Sequence, residues 1–146
     1  MEKSCILIFC GCDKTGKTTL MKEVLKRTNK HICIDRFAPC QSVYGFLHSK
    51  NDTPTEAEFE FLEDFLKFSP FPVYYIHVEA DTEDIKHRFA THKEIDIELE
   101  QIDLVKQWYR VYFNCHTHLP IIKINTSKNN IYECIEMIFN SIKKED

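Results

Sequence analysis

One short stretch of the sequence combines glycines, a lysine and hydroxyl side chains at a spacing that suits phosphate binding. It runs from residue 11 to residue 18, reads G-C-D-K-T-G-K-T, and contains two of the three glycines in the chain. Glycine permits the backbone angles that turn successive N–H groups inward around phosphate oxygens. Lys17 adds positive charge, and the hydroxyl of Thr18 is a suitable ligand for Mg²⁺. These residue types predict a site for a phosphorylated ligand.

The stretch fits the pattern G-x-x-x-x-G-K-[ST], which is meaningful when a strand precedes it and a helix follows it. Residues 4–10 form a continuous apolar run, and apolar residues recur at helical spacing after Lys17. The positive end of that helix favours an anion. We expect a nucleoside triphosphate, ATP, with Lys17 at its β- and γ-phosphates and Thr18 on Mg²⁺. The candidate ATP-binding residues of the loop are Gly11, Asp13, Thr15, Gly16, Lys17, Thr18 and Thr19.

Length and composition predict one globular domain over residues 1–146, because 43% of the residues are hydrophobic and 29% are charged. No run of about 18 apolar residues or secretory leader is found, so we expect a cytoplasmic protein without a membrane partner. A net charge of −4 with scattered basic residues argues against nucleic acid and favours a small phosphorylated partner. The seven cysteines include no C-x-x-C pair, which argues against a metal site built on cysteine.

Apolar runs and amphipathic segments alternate along the chain. Strands are predicted at residues 4–10, 31–35, 73–78 and 121–124. Helices are predicted at residues 17–28 and 41–48, from a Thr55–Glu58 capping box to residue 68, from Asp81 or Thr82 through 89, at 97–116, and from Ser127 or Asn129 through 142. Continuously apolar strands that alternate with helices predict a three-layer α/β fold, with a short parallel sheet of about four strands between helices. In such folds ligands bind at the carboxyl ends of the strands.

Two charged residues inside the loop distinguish it from a generic phosphate-binding loop. The sequence G-C-D-K-T-G-K-T-T resembles the P-loop of thymidylate kinases, especially the eukaryotic and viral type, in which a basic residue follows an acidic one. The resemblance implies that Asp13 hydrogen-bonds the 3′-hydroxyl of an acceptor nucleotide. It also implies that Lys14, where the family has arginine, is drawn toward the transferring phosphoryl group. The alternative is a pair of solvated charges in a surface loop.

A second match lies at the end of the predicted second strand, over residues 35–44. The sequence D-R-F-A-P-C-Q-S-V-Y resembles the family's D-R-[YHF]-x-x-S-x-x-A-[YF], with Cys40 at the usual serine. The resemblance implies that Asp35 interacts with the Mg²⁺ shell or the acceptor phosphate, and that Arg36 clamps this phosphate with two parallel hydrogen bonds. It further implies that Tyr44 lines the acceptor pocket, with Cys40 nearby. The alternative is a structural salt bridge between Asp35 and Arg36.

The third match is shorter and lies in the second half of the chain. The strand Y-Y-I-H-V at residues 74–78, followed by Arg88, resembles the segment that leads into the family's mobile lid. The resemblance implies that Arg88 reaches the phosphates when the lid closes, although a solvated helix position is an equal alternative. The loop after the last strand corresponds to the family's adenine-contacting loop, which makes Asn125 a candidate ATP-binding residue.

The resemblance implies a compact kinase of viral or phage type, located in the host cytoplasm if viral, that uses ATP and Mg²⁺ to phosphorylate a pyrimidine deoxynucleoside monophosphate such as dTMP or dUMP. The family segment that recognises thymine is missing, because about a dozen residues separate the first helix from Asp35. We therefore expect the acceptor base to be recognised by residues 40–68 or by the second subunit of a homodimer. The alternatives are a deoxynucleoside kinase with Asp35 as general base, a kinase acting on a base or end of DNA, and a non-catalytic nucleotide-binding module.

Overall fold

The computed structural model describes residues 3–47, 56–91 and 99–143. Within these ranges the strands are β1 (Ile6–Cys10), β2 (Ile32–Asp35), β3 (Val73–Glu79) and β4 (Ile121–Asn125). The α-helices are α1 (Lys17–Arg27), α2 (Ala38–Leu47), α3 (Glu56–Lys67), α4 (Thr82–Thr91), α5 (Ile102–Cys115) and α6 (Ile131–Lys143), and a short 3₁₀ turn (Leu99–Gln101) precedes α5. None of the helices in the described ranges is long and apolar enough to cross a membrane.

The four strands form one parallel sheet in the order β2-β1-β3-β4. Phe9 near the end of β1 lies opposite Asp35 on β2 and Ile76 on β3, so the carboxyl ends of the three strands meet along one edge. Strand β1 is central: the chain passes from it to β2 on one side, and then from β2 across β1 to β3 on the other side. The connections therefore diverge at the end of β1, where an open parallel sheet forms its ligand crevice.

Alternate residues of the central strands face two separate cores. Leu7 and Phe9 of β1 pack against α1 and α6, whereas Ile8 packs with Tyr75 of β3 against the side that carries α2, α3 and α5. Both faces of β1 and β3 are buried, which explains why their sequences are continuously apolar. The predicted α/β class, the four-strand parallel sheet and its two helical layers are confirmed.

Two predicted helix starts are wrong. Helix α6 begins at Ile131 and is capped by Asn130, whose Oδ1 accepts a hydrogen bond from Glu133 N while Asn130 N donates to Glu133 Oε1, at 2.9 and 3.0 Å. The predicted caps Ser127 and Asn129 make other contacts. Ser127 Oγ accepts a hydrogen bond from Asp81 N after β3, and Asn129 Nδ2 donates to Asn125 O within the turn after β4.

Helix α2 begins three residues before the predicted position, at Ala38. Proline is compatible with the first turn of a helix, because the N–H that it lacks has no partner there, so Pro39 does not delay the start. The predicted Thr55 cap and the predicted helix start at Ile97 lie outside the described residues.

A buried carboxylate that no sequence motif indicates joins α3 to the sheet. Glu63 Oε1 accepts hydrogen bonds from the hydroxyls of Tyr75 on β3 and Tyr112 on α5, at 3.0 and 2.9 Å. The backbone N–H of His118 donates to Oε2 at 3.4 Å. Burying a carboxylate is unfavourable unless donors surround it, so these three contacts account for a charged residue inside the helical layer.

A second buried polar residue, His77 on β3, gives the fold a pH dependence. Its ring lies 4.5 Å from the Phe113 ring, and burial lowers its pKa to about 4, although nearby Glu79 acts in the opposite direction. The folded chain therefore keeps His77 neutral at pH values where the unfolded chain has already protonated it.

As the pH falls from 6.5 to about 4, we expect the unfolding free energy to fall by about 3 kcal/mol through His77, because the unfolded state binds the proton more tightly. Urea denaturation across this range should show a smaller decrease for His77→Gln than for the native chain. The exposed His87 of α4 is the matched control, and His87→Gln should keep the native slope. Equal slopes in all three proteins would contradict the assignment.

Candidate functional site

The loop between β1 and α1 depends on two glycines with positive φ. Gly11 has φ +154°. A Cβ built on it would lie 2.2 Å from the carbonyl oxygen of Val78, which is too close for any residue other than glycine. Gly16 has φ +88° at the residue before α1, where its nearest neighbour would be the Thr126 side chain at 3.7 Å. Gly11 therefore brings the loop against β3, and Gly16 turns it into the helix.

Thr126, directly after β4, fixes the middle of this loop. Its hydroxyl donates to Thr15 O at 2.5 Å, and its backbone N–H donates to Glu79 O at 2.9 Å. Thr15 Oγ1 in turn donates to Cys12 O at 2.9 Å within the loop. The predicted residue Thr15 thus shapes the loop from a buried position. Thr126 was not predicted as a site residue, although it lies in the loop after the last strand that the resemblance assigns to adenine contacts.

Arg88 of α4 also contacts the loop. Its Nη1 donates to Lys14 O at 2.8 Å and lies 3.4 Å from Thr126 Oγ1. Lys14 has φ +62°, a conformation unusual for a residue with a side chain, and the bond from Arg88 helps to hold it. The structure thus brings the two predicted cationic residues together at the loop, with the Arg88 guanidinium on the loop backbone.

Lys17, the first residue of α1, carries a buried ammonium group. Its side chain is 6% exposed, and Nζ lies 3.6 Å from Asp35 Oδ1. Nζ makes no hydrogen bond within the described part of the chain. An ammonium group has three donors and burial is unfavourable without acceptors, so this position suits the oxygens of a phosphate.

The donors needed for Mg²⁺ lie beside it. Thr18 follows Lys17, and both Thr18 and Asp35 line the same cavity. Mg²⁺ prefers oxygen ligands and usually combines one or two protein oxygens with water and phosphate oxygens. A hydroxyl and a carboxylate that line one cavity beside this loop therefore fit this ion.

On the opposite side of the loop, Asp13 and Arg36 form an ion pair. Arg36 Nη2 donates to Asp13 Oδ1 at 2.6 Å, and the guanidinium carbon lies 5.3 Å from the centre of the Tyr44 ring. The Tyr44 hydroxyl accepts a hydrogen bond from Asp13 N at 3.1 Å. Partial burial opposes the charged guanidinium, but Asp13 and Tyr44 outweigh it and raise the pKa of Arg36. Arg36 is therefore positively charged beside the loop.

Cys40, which stands where the thymidylate kinase motif usually has serine, is buried. Its thiol lies beside Cys10 and Tyr109, and burial raises the pKa values of both neighbours. Cys12, inside the loop, is also buried, and burial raises its pKa to about 12. A thiol with such a pKa stays protonated at neutral pH, so Cys12 contributes packing rather than a nucleophile.

A cavity of about 790 Å³ connects these groups. The predicted residues that line it are Asp13, Lys14, Gly16, Lys17, Thr18, Thr19, Asp35, Arg36 and Arg88. Six lining residues were not predicted from the sequence as site residues: Cys12 in the loop after β1, and Thr126, Asn129, Asn130, Ile131 and Cys134 in the loop after β4 and in α6. Of the predicted residues, those outside the lining are Gly11, Thr15, Cys40, Tyr44 and Asn125.

Asn125 has a different position from the one expected of a nucleotide contact. Its Oδ1 accepts hydrogen bonds from the backbone N–H groups of Ser127 and Lys128, at 2.9 and 3.1 Å, so the side chain closes the turn after β4. Residues 129–131 border the cavity in its place. The pattern N-x-x-E at residues 130–133, a capping box at the start of α6, is the sequence signal that identifies residues 129–131 as the end of this loop.

The chain shares its fold with several solved proteins, among them a deoxyadenosine kinase and a thymidylate kinase. YorR from Bacillus subtilis, solved in complex with phosphorylated GDP, is 20% identical with a TM-score of 0.76 over 96% of each chain. Deoxyadenosine kinase from M. mycoides with bound dCTP is 11% identical with a TM-score of 0.67, over 95% of this chain and 99% of that one.

Thymidylate kinase from Candida albicans is 13% identical with a TM-score of 0.65, over 98% of this chain and 92% of that one. No protein-family model and no curated protein matches the sequence. Identities this low show the three-layer P-loop kinase fold alone.

Substituting the two glycines should have different effects on stability. Gly11→Ala should lower the unfolding free energy by about 3 kcal/mol, because its Cβ would meet the Val78 carbonyl at 2.2 Å. Gly16→Ala has room for the methyl group and should lose about 1 kcal/mol through its positive φ alone. Urea denaturation measures both values, and similar losses would contradict the close contact at Gly11.

Proposed function

We propose that the protein is a nucleotide kinase that transfers the γ-phosphoryl group of ATP to a pyrimidine deoxynucleoside monophosphate such as dTMP or dUMP. The observation that carries the proposal is the buried Lys17 ammonium group. It makes no hydrogen bond in the described chain and lines the cavity beside the loop between β1 and α1. The cavity continues from Lys17 to Arg36, so one space offers charge to two phosphorylated ligands.

The donor side is formed by the loop and the first turn of α1. Backbone N–H groups of residues 13–18 and the positive end of the helix favour the phosphates of ATP. Lys17 would exchange its 3.6 Å contact with Asp35 for direct bonds to phosphate oxygens. The nucleoside of ATP would extend toward Asn129, Asn130 and Ile131, which also line the cavity.

The acceptor side is formed by Asp13, Arg36 and Tyr44. Arg36 offers a planar guanidinium that can bind a phosphate through two parallel hydrogen bonds, and its stacking on Tyr44 limits its orientation. Asp13, which now pairs with Arg36, could accept a hydrogen bond from a sugar hydroxyl once the acceptor phosphate takes its place. The pair Asp13–Arg36 thus supports an acceptor that carries both a phosphate and a sugar.

The transfer itself needs alignment and charge neutralisation more than covalent help from the protein. An oxygen of the acceptor phosphate forms a bond to the γ-phosphorus, the bond from that phosphorus to the β–γ bridging oxygen breaks, and ADP leaves with the electron pair. Mg²⁺ held near Thr18 and Asp35 would neutralise phosphate charge. Lys17, Lys14 and Arg88 would place positive charge around the transferred group. A monophosphate acceptor is already ionised, so it requires no general base.

A deoxynucleoside kinase is the second candidate, because the Asp35 carboxylate faces the cavity and could take the proton of a 5′-hydroxyl group. The fold similarity to deoxyadenosine kinase supports it as well. A kinase acting on a base or end of DNA and a non-catalytic nucleotide-binding module are the remaining outcomes of the assay below. A single domain over residues 1–146, a viral origin and a cytoplasmic location stay predictions.

A substrate panel distinguishes these functions. Nucleosides, their monophosphates and DNA oligonucleotides are each incubated with Mg-ATP and scored for new phosphorylated products. We expect transfer to dTMP or dUMP, since the acceptor side combines a guanidinium with a carboxylate. Transfer to nucleosides alone would support the second candidate. Tight ATP binding without any transfer would contradict both kinase proposals.

Arg36→Ala tests the separation of the two sides. We expect acceptor use, measured as kcat/KM for dTMP, to fall about 100-fold, because a bidentate charged contact is lost. ATP affinity should stay near the native value. Arg110→Ala is the matched control, because Arg110 pairs with Glu79 outside the cavity lining and should leave both quantities unchanged. Loss of ATP binding by Arg36→Ala would place Arg36 on the donor side.

A further inference from the structure

The hydroxyl group of Thr126 lies where the loop after β1, the end of β3 and helix α4 meet. It donates to Thr15 O at 2.5 Å and accepts from Arg88 Nη1, which lies 3.4 Å away. A second acceptor, Glu79 O, is also 3.4 Å away, so the single hydroxyl proton is directed to the nearer Thr15 O. The backbone N–H of Thr126 donates to Glu79 O at 2.9 Å. Thr126 therefore connects the end of a buried strand to the carbonyl group of one loop residue.

Arg88 holds the preceding peptide of the loop in the same way. Its Nη1 donates to Lys14 O at 2.8 Å, so the carbonyl groups of two successive residues are bound by side chains from other elements. Lys14 and Gly16 have φ values of +62° and +88°, whereas Thr15 between them has no positive φ. An alternation of this kind gathers backbone N–H groups into a concavity that binds anions. The two carbonyl contacts thus hold a loop conformation that suits an anion.

The contact from Thr126 also sets the direction of one backbone N–H group. The peptide bonds of the loop are trans, and in a trans peptide the N–H group points away from the carbonyl oxygen of the same unit. Because Thr126 binds Thr15 O, the N–H group of Gly16 points away from Thr126. This N–H group donates no hydrogen bond within the described part of the chain, and Gly16 lines the cavity together with Lys17. It is therefore available to a ligand in the cavity.

We propose that Thr126 and Arg88 are positioning residues that turn the backbone N–H groups of the loop, that of Gly16 above all, toward a phosphate group. This inference rests on the proposed nucleotide site and names the residues that preorganise it. The role differs from the direct phosphate contact that the resemblance implies for Arg88, because the guanidinium acts through the loop backbone. A donor that is already oriented needs no reorganisation when the phosphate binds, so the affinity depends on both residues.

Backbone amide signals in nuclear magnetic resonance spectra test the direction of the Gly16 N–H group. The chain has three glycines, Gly11, Gly16 and Gly45, so isotopic nitrogen in glycine alone gives three signals, and Gly16→Ala identifies the signal of Gly16. On saturation with Mg-ADP we expect this signal to move downfield, because the N–H group donates to a charged oxygen. Thr126→Ser keeps the hydroxyl and should keep the shift. Thr126→Val has the same shape without the hydroxyl and should lose most of it.

Calorimetric titration with Mg-ADP measures the effect on affinity. Thr126→Val should weaken binding about 10-fold, because the Gly16 N–H group loses its fixed bond to a charged oxygen, and Thr126→Ser should restore most of the affinity. Arg88→Met should weaken the binding of ADP by a similar factor, although ADP has no γ-phosphate. The matched controls are Thr117→Val, which removes a hydroxyl contact with Leu119 N, and Arg110→Met. Both positions lie outside the cavity lining, so both variants should keep the native affinity.

The outcomes separate the positioning roles from the kinase proposal. An unchanged Gly16 shift in Thr126→Val would overturn the role of Thr126. Normal binding of ADP by Arg88→Met, with weaker binding of ATP alone, would overturn the role of Arg88 and favour a direct contact with the γ-phosphate. Circular dichroism and an unmoved Gly45 signal show that each variant is folded. A native chain with the Gly16 shift but without phosphoryl transfer would contradict the kinase and support the positioning roles, whereas a native chain that does not bind Mg-ADP would contradict both.

Discussion

The close contact between Gly11 and the carbonyl of Val78 is the constraint on which the site depends. A Cβ at residue 11 would lie 2.2 Å from that oxygen, so the chain can leave β1 in this direction only with glycine. The contact seats the loop over the end of β3 and directs its backbone toward α1. It also brings Thr15 within reach of Thr126 beyond β4, so the loop is held by the strands on one side of β1.

The loop is held by contacts with β3 and with Thr126 after β4 on one side, and its charged side chains lie on the other side, next to the end of β2. Lys17 meets Asp35 at 3.6 Å there, and Asp13 meets Arg36 at 2.6 Å. The two ion pairs join the loop and the start of α1 to Asp35 and Arg36, which are consecutive residues at the end of β2. A ligand that binds Lys17 therefore competes with Asp35, and one that binds Arg36 competes with Asp13. The central position of β1 in the sheet order makes this arrangement possible.

The sequence allowed the strands, the four-strand parallel sheet and the glycine-containing loop between β1 and α1 to be predicted, because each depends on local pattern: apolar runs ended by glycine or proline, and glycines at fixed spacing before a lysine. The contacts that tie the loop down could not be predicted in this way. Thr126 and Thr15 are 111 residues apart, and Glu63 meets Tyr112 from 49 residues away. Such contacts arise from tertiary packing. The cap of α6 was misassigned for the opposite reason, since Ser127, Asn129 and Asn130 are all good capping residues and only the turn geometry selects among them.

The buried ammonium group of Lys17 shows how the site is balanced between stability and binding. An ammonium group with three donors and no hydrogen bond in the described chain destabilises the fold, and Asp35 at 3.6 Å offsets only part of this. The same feature favours a phosphate, because its oxygens would accept the hydrogen bonds that Lys17 Nζ lacks. Binding then stabilises the folded chain by mass action. The unfavourable burial is therefore a form of preorganisation, in which the fold holds the charge where the ligand needs it and recovers the free energy when the ligand arrives.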